Sequence, residues 1–366
     1  MGQDARIYEL IDRIRLPMII GIVFCHTHFY KYLSPEELDV GLWVNYPVLN
    51  AVIYVCYWLV GKIFTPTFFF LSGYLFFREH RLSRDMYAGK LKRRVRSLLV
   101  PYLIWNAVLL AVMYVQERYM GGTSERMGRI ADYGWQEWLY AFWDCTQTWS
   151  WTGVVGQPAN IPLWFLRELM ILSVFSPLFF WLNRLRKPWG IILLVLVYVC
   201  PYHLPHLQNL SVFWFGMGVW TQMNGVDFVG FSERAAKWCL PLFALFAVAY
   251  EALKRYAPEV PLDAAVAGMR ITEFPILIAV VSSVLRKTAW RLPEKVSRSA
   301  FFVYLSHIVP TAVLCSLTCK LLPHTDGILT AAYLVIPFVV TGMLVLCYLL
   351  LERWLPHTMK VLTGSR

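Results

Sequence analysis

Long apolar stretches separated by short charged ones restrict this chain more than any other feature of it. Ten can be drawn at spanning length, over 16–32, 48–77, 98–116, 162–182, 189–201, 209–222, 238–253, 271–285, 300–319 and 328–351. A hydrocarbon layer ~30 Å thick is crossed by about 20 apolar residues in a helix, where every backbone group is bonded within the segment. The expected fold is therefore an all-α polytopic membrane protein of about ten transmembrane helices. It is read as one integral-membrane domain over 1–366, with its core at 6–351 and both termini cytoplasmic. Composition agrees: 58% of the residues are hydrophobic and only 16% charged, well under the roughly 25% charged of a soluble domain.

The formal charge of +11 raises nucleic acid as a partner, and the placement of the basic residues argues against it. With the N-terminus inside, the inner loops hold about three times as many Lys and Arg as the outer ones, the asymmetry that sets membrane orientation. The largest inner group runs from Arg78 to Arg96, and smaller ones lie at Arg184–Lys187 and Arg286–Arg298. Basicity here reports topology and contact with anionic lipid rather than nucleic acid. No small-residue cleavage site follows the first apolar stretch, so it is expected to stay in the protein. The eight cysteines show no metal-binding spacing and read as small buried apolar residues. No internal repeat is evident, and no soluble domain is expected after the last span.

The first span carries Asp12-Arg13-Ile14-Arg15 at its foot and His26 well inside it. Eleven residues separate Arg15 from His26, about three turns and ~16 Å along one helix face. An ionisable side chain at that depth is costly and marks a candidate functional site. Two readings stand: a neutral imidazole bonded to a neighbouring helix, or a proton-handling group in a buried reaction chamber.

Further polar points follow along the chain. In Phe68-Phe69-Phe70-Leu71-Ser72-Gly73-Tyr74, the Ser72-Gly73 pair allows close approach of a helix or of a ligand. The run ending in Arg93 and Arg96 is either a stop-transfer anchor on anionic lipid or a cytoplasmic phosphate site, since guanidinium forks suit phosphates. Tryptophans at 135, 138, 143, 149 and 151 suit the headgroup zone, or a platform for sugar rings. The fourth span opens Pro162-Leu163-Trp164-Phe165-Leu166-Arg167-Glu168; adjacent residues point ~100° apart, so Arg167 and Glu168 are expected to find partners on other elements. His203 and His206 lack a third ligand for a metal. Glu273, just after Arg270, is placed at an outer vestibule. His307 in Tyr304-Leu305-Ser306-His307 is a second histidine about three turns deep.

Taken together, these segments resemble the bacterial membrane-bound acyltransferase family 3, in its standalone type without a fused soluble domain. The likeness rests on the Arg15 to His26 spacing, residues 68–74, Arg93-x-x-Arg96 before Pro101-Tyr102, residues 162–166 and residues 302–307, in the family's order. The resemblance implies transfer of an acyl group, usually acetyl, from cytoplasmic acyl-CoA to hydroxyls of surface or lipid-linked glycans in a bacterial cytoplasmic membrane. It implies His26 as catalytic histidine, Arg15 as its motif partner, and Arg93 and Arg96 as the pair tied to the acyl donor, with Ser72, Gly73 and Tyr74 assigned beside them. Glu168 and His307 join the catalytic set, Trp164, Arg167 and Glu273 the acceptor side, and no metal is expected. Relatives with a fused hydrolase-like domain often carry Glu five residues after the Trp of the fourth span, where this chain has Leu169. A permease or exporter of a glycan intermediate is the alternative, in which buried charges line a path; a ligand-sensing module comes third.

Overall fold

A computed structural model describes residues 3–34, 42–77, 82–121, 127–146, 151, 155–183, 187–288 and 291–364. Arg78, Trp149, Arg184 and Arg186, within the runs named above, lie outside the described residues, as do Glu36, Glu37, Asp39, Glu125 and Arg126 of the loops between the expected spans. The regular elements among the described residues are all helices. They form two compact units, a larger one of Met1–Ile7 with Thr65–Trp290 and a smaller one of Tyr8–Phe64 with Arg291–Arg366.

Among the described residues five helical runs are long and apolar enough to cross a membrane: Pro47–Phe76, Arg84–Tyr119, Phe228–Tyr256, Asp263–Lys287 and Asp326–Trp354. Counting each of two bent pairs as one span gives up to seven among the described residues, where ten are expected from the sequence. Hydropathy counts apolar residues wherever the chain turns, so it cannot see where helices stop. The first apolar stretch leaves the helix after Cys25, and those at 189–201 and 209–222 form helices of 13 and 15 residues.

In the smaller unit, α1 (Gln3–Cys25) enters from the larger one and is joined by α2 (Pro47–Ile53). Leu329, Tyr333, Ile336, Val340, Leu344 and Tyr348 form one buried stripe on the long C-terminal helix Asp326–Trp354, at the three-to-four spacing of a packed helix face. The opposite face leaves Val335, Phe338, Met343 and Leu346 exposed, as suits contact with lipid. Asp326 at the start of that helix accepts the backbone N–H groups of Val48 and Leu49, both at 2.8 Å. These are orphan donors of α2, whose N-terminal dipole a carboxylate complements.

In the larger unit, α3 (Phe64–Phe76, from Thr65 onward) packs on the helix Asn209–Met223 through two glycines. The Cα of Gly73 faces the backbone of Phe215, and that of Gly218 faces the backbone of Phe70 and Tyr74. A Cβ on either would fall on main-chain atoms. Beside this contact Phe70, Phe228, Phe274 and Trp214 form an aromatic cluster, with Phe70 4.7 Å and Trp214 5.0 Å from the Phe274 ring centroid. The basic helix α4 (Arg84–Arg94) continues through a π-helical turn, Val95–Leu99, into α5 (Val100–Met120).

Gly218→Val is expected to destabilise the protein by about 1–3 kcal/mol, the usual cost of overpacking, read as a lower unfolding midpoint in detergent or nanodiscs. Gly342→Ala, at a helical position with no neighbouring heavy atom within 4 Å, is expected to leave the midpoint unchanged or to raise it.

Candidate active site

The smaller unit brings two histidines together. The last turn of α1 tightens: the N–H of His26 bonds the Val23 carbonyl at 3.0 Å and that of Thr27 the Phe24 carbonyl at 3.2 Å. The Thr27 hydroxyl adds a bond to the Val23 carbonyl at 2.9 Å. These bonds satisfy orphan carbonyls and end the helix, so His26 stands just past its C-terminus rather than within a continuous span. The Phe24 carbonyl also accepts from the Tyr333 hydroxyl at 3.4 Å.

His307 sits at the break between α6 (Glu294–Ser306) and α7 (Ile308–Leu321), which are bent by 69°. Pro310 explains the break, since it has no N–H for the Ser306 carbonyl and its ring crowds that group. His307 is fully buried and His26 half-buried. Their ring centroids are 5.2 Å apart. The Nδ1 of His307 is 2.7 Å from the Tyr304 carbonyl oxygen and 3.3 Å from that of Val303. Carbonyls only accept, so Nδ1 carries the hydrogen and Nε2 is the bare acceptor. That Nε2 is buried with no hydrogen-bond partner among the described residues.

Arg15 lies on the same helix, half-buried, with Asp12 at 3.6 Å. The helix is unbroken from Arg15 to Cys25, which puts about 15 Å of helix between the Arg15 and His26 backbones. Arg15 therefore does not orient His26 by contact. The buried arginine at the foot of α1 is Arg13, which pairs with Glu9, itself 2.8 Å from Arg291. Lys62, a second cation inside a span, lies 4.3 Å from the Tyr57 ring centroid and 5.2 Å from that of Trp58. It follows the π-helical turn Tyr54–Val60, a kind of irregularity common at functional sites.

The larger unit holds the other candidates. Arg167 and Glu168, on the helix Trp164–Val174, are both fully buried. Their nearest charged atoms are 3.8 Å apart, and their hydrogen bonds go elsewhere. Arg167 donates to the carbonyls of Trp143 at 2.5 Å and Gly156 at 2.8 Å, bracing the outer segment. The Glu168 carboxyl accepts from the Gln208 N–H at 3.2 Å and meets the Ser211 hydroxyl, both at the start of the helix Asn209–Met223. Trp164 is half-buried, 5.9 Å from the Phe69 ring. Glu273 is buried and paired with Arg270 one turn earlier on its own helix. The pair is enclosed rather than open to an outer vestibule.

Sequence reading overlooked the residues that hold the outer segment in place. The Tyr102 hydroxyl donates to the Phe142 carbonyl. Buried Asn106 accepts the Asn160 N–H at 3.0 Å, and the Asn160 amide reaches the Trp105 carbonyl at 3.2 Å. The only hint was a polar residue one turn after Pro101-Tyr102. Of the donor-side candidates, Gly73 is taken up in helix packing, Tyr74 is buried against Phe228, and Ser72 is half-buried. The basic run divides: Lys90 donates to the Phe76 carbonyl and Arg94 lies 5.8 Å from the Phe76 ring, whereas Lys92, Arg93 and Arg96 are exposed.

The outer turn places His206 beside Asp144, 3.6 Å away, in a backbone conformation with φ of 62°. Burial pushes its imidazole below the ordinary value and nearby Arg167 acts in the same direction, while Asp144 opposes them. Among the described residues no three His, Cys, Asp or Glu side chains form a group suited to a metal.

Residues 8–352 match the acyltransferase 3 family, described as an acyltransferase domain. The succinoglycan biosynthesis protein ExoH of Rhizobium meliloti (strain 1021) is 28% identical over 383 residues, covering 99% of this chain and 94% of that protein. No solved structure is matched.

Because the folded environment lowers the His206 pKa, the unfolded segment binds the proton more readily, and stability falls as pH drops through the ordinary imidazole value of about 6.5. Hydrogen exchange at residues 143–146 and 203–208 is expected to be faster at pH 5.5 than at 7.5. His206→Asn, which tolerates positive φ, is expected to abolish that difference.

Proposed function

This chain belongs to the acyltransferase 3 family and is a multi-pass membrane acyltransferase of the non-aminoacyl kind, and on that premise we propose that it transfers an acyl group, acetyl first among candidates, from cytoplasmic acyl-CoA to a glycan hydroxyl. The name of the similar protein, succinoglycan biosynthesis, supports a glycan acceptor, either a surface polysaccharide or a lipid-linked saccharide. A bacterial cytoplasmic membrane is the location that fits such a donor. Family membership favours this reading over a permease.

The observation that carries it is the histidine pair at two helix ends of the smaller unit, one member half-buried and the other enclosed. His26 is the general base. It takes the proton of the attacking hydroxyl as the new C–O bond forms; the thioester C–S bond breaks, and the proton passes to the departing thiolate. Exposed Arg93 and Arg96 are assigned to the donor phosphates, and Arg15 to the donor rather than to His26. Ser72 and Tyr74 stay assigned to the donor side. Glu168 remains in the catalytic set and Trp164 on the acceptor side, with Arg167 supporting the latter through its carbonyl contacts and Glu273 through its pair with Arg270.

His26→Ala, inserted and folded, is expected to lose 10²–10⁴-fold in transfer of labelled acetyl from acetyl-CoA to membrane glycan, the usual worth of a general base. Wild-type activity in that variant would overturn the assignment. Arg93→Ala with Arg96→Ala is expected to raise KM for acetyl-CoA while leaving KM for a phosphate-free pantetheine thioester unchanged.

A further inference from the structure

We infer that His307 is the positioning residue for His26: its bare Nε2 takes a hydrogen bond from the His26 ring N–H and leaves the other His26 nitrogen turned to the acceptor hydroxyl. This deepens the proposed reaction and rests on His26 being its base.

Three observations converge on it. The first is the tautomer. His307 gives its Nδ1–H to the Tyr304 carbonyl at 2.7 Å, so the nitrogen on the far side of the ring has a lone pair and nothing among the described residues to donate to it. A buried acceptor left without a donor costs free energy, which a ring N–H of the neighbouring His26 would recover.

The second is asymmetry of access. His307 is fully enclosed, whereas His26 is half-buried. His26 keeps partial exposure while the His307 Nε2 has none, which assigns the proton transfer to the first and its support to the second.

The third is rigidity. Ala300, Val303 and Leu305 around the His307 turn are buried, and the Ser297 hydroxyl of α6 bonds the Asp12 carbonyl of α1 at 2.8 Å. The two helices that bear the histidines are thus tied to each other. The Thr311 hydroxyl and N–H both bond the His307 carbonyl, at 2.7 and 3.0 Å, fixing the backbone from which the ring projects. The ring centroids are 5.2 Å apart, a separation at which two imidazole nitrogens come within ~3 Å when both lie along the line joining the rings. Such contacts are often long in resting enzymes and tighten with substrate bound. The arrangement parallels the carboxylate that holds the histidine of a Ser-His-Asp triad in the productive tautomer, here with a neutral imidazole in that place.

The test is nitrogen NMR of the full-length protein, labelled with 15N-histidine, in nanodiscs. In the wild type His307 is expected to carry its hydrogen on Nδ1, and His26 to show a single tautomer. Hydrogen on Nε2 of His307 would overturn the proposal without any variant. His307→Leu is expected to give a mixture of His26 tautomers and to lower kcat by about 10²-fold or more with KM for acetyl-CoA unchanged. His307→Gln, whose side-chain carbonyl can accept where Nε2 did, is expected to restore the single tautomer and most of kcat. An unchanged His26 spectrum and kcat in His307→Leu would sink the pairing. Should His26→Ala keep its activity, the base assignment fails while the spectra still decide whether the two rings are joined.

Discussion

Backbone groups inside an apolar layer have no water to bond, so every helix that stops there needs a partner from elsewhere in the protein. Much of the polar chemistry of this chain is spent on that requirement. Tyr333 and Thr27 serve the carbonyls at the end of α1, Asp326 serves the N–H groups of α2, and Glu168 serves the start of the helix Asn209–Met223. Each of these side chains is thus committed to a helix end.

The same requirement separates support from chemistry. Arg167 is wholly buried, yet its hydrogen bonds go to two loop carbonyls, which makes it a brace for the outer segment. Tyr102, Asn106 and Asn160 act with it. His307 differs: one ring nitrogen is spent on its own helix and the other is held bare beside a second imidazole.

Charge in the basic run divides on similar lines. Lys90 and Arg94, four residues apart and so on one helix face, meet Phe76, while Arg93 and Arg96 stay exposed. Helical spacing alone marks which positions share a face, but it does not reveal which face is occupied.

The sequence by itself determined that this is an all-helical membrane protein, and it offered the basic residues as markers of orientation and His26 and His307 as candidate site residues. Those inferences rest on hydropathy and periodicity, which are local properties. Only the tertiary structure decided that α1 ends at Cys25, that Pro310 breaks the span at His307 into two helices, that Glu273 closes on Arg270, and that Arg13 rather than Arg15 is the buried arginine. Helix ends and side-chain partners depend on residues far apart in the chain, as Asp326 is from Val48 or Tyr333 from Phe24, and no local pattern encodes which of them will meet.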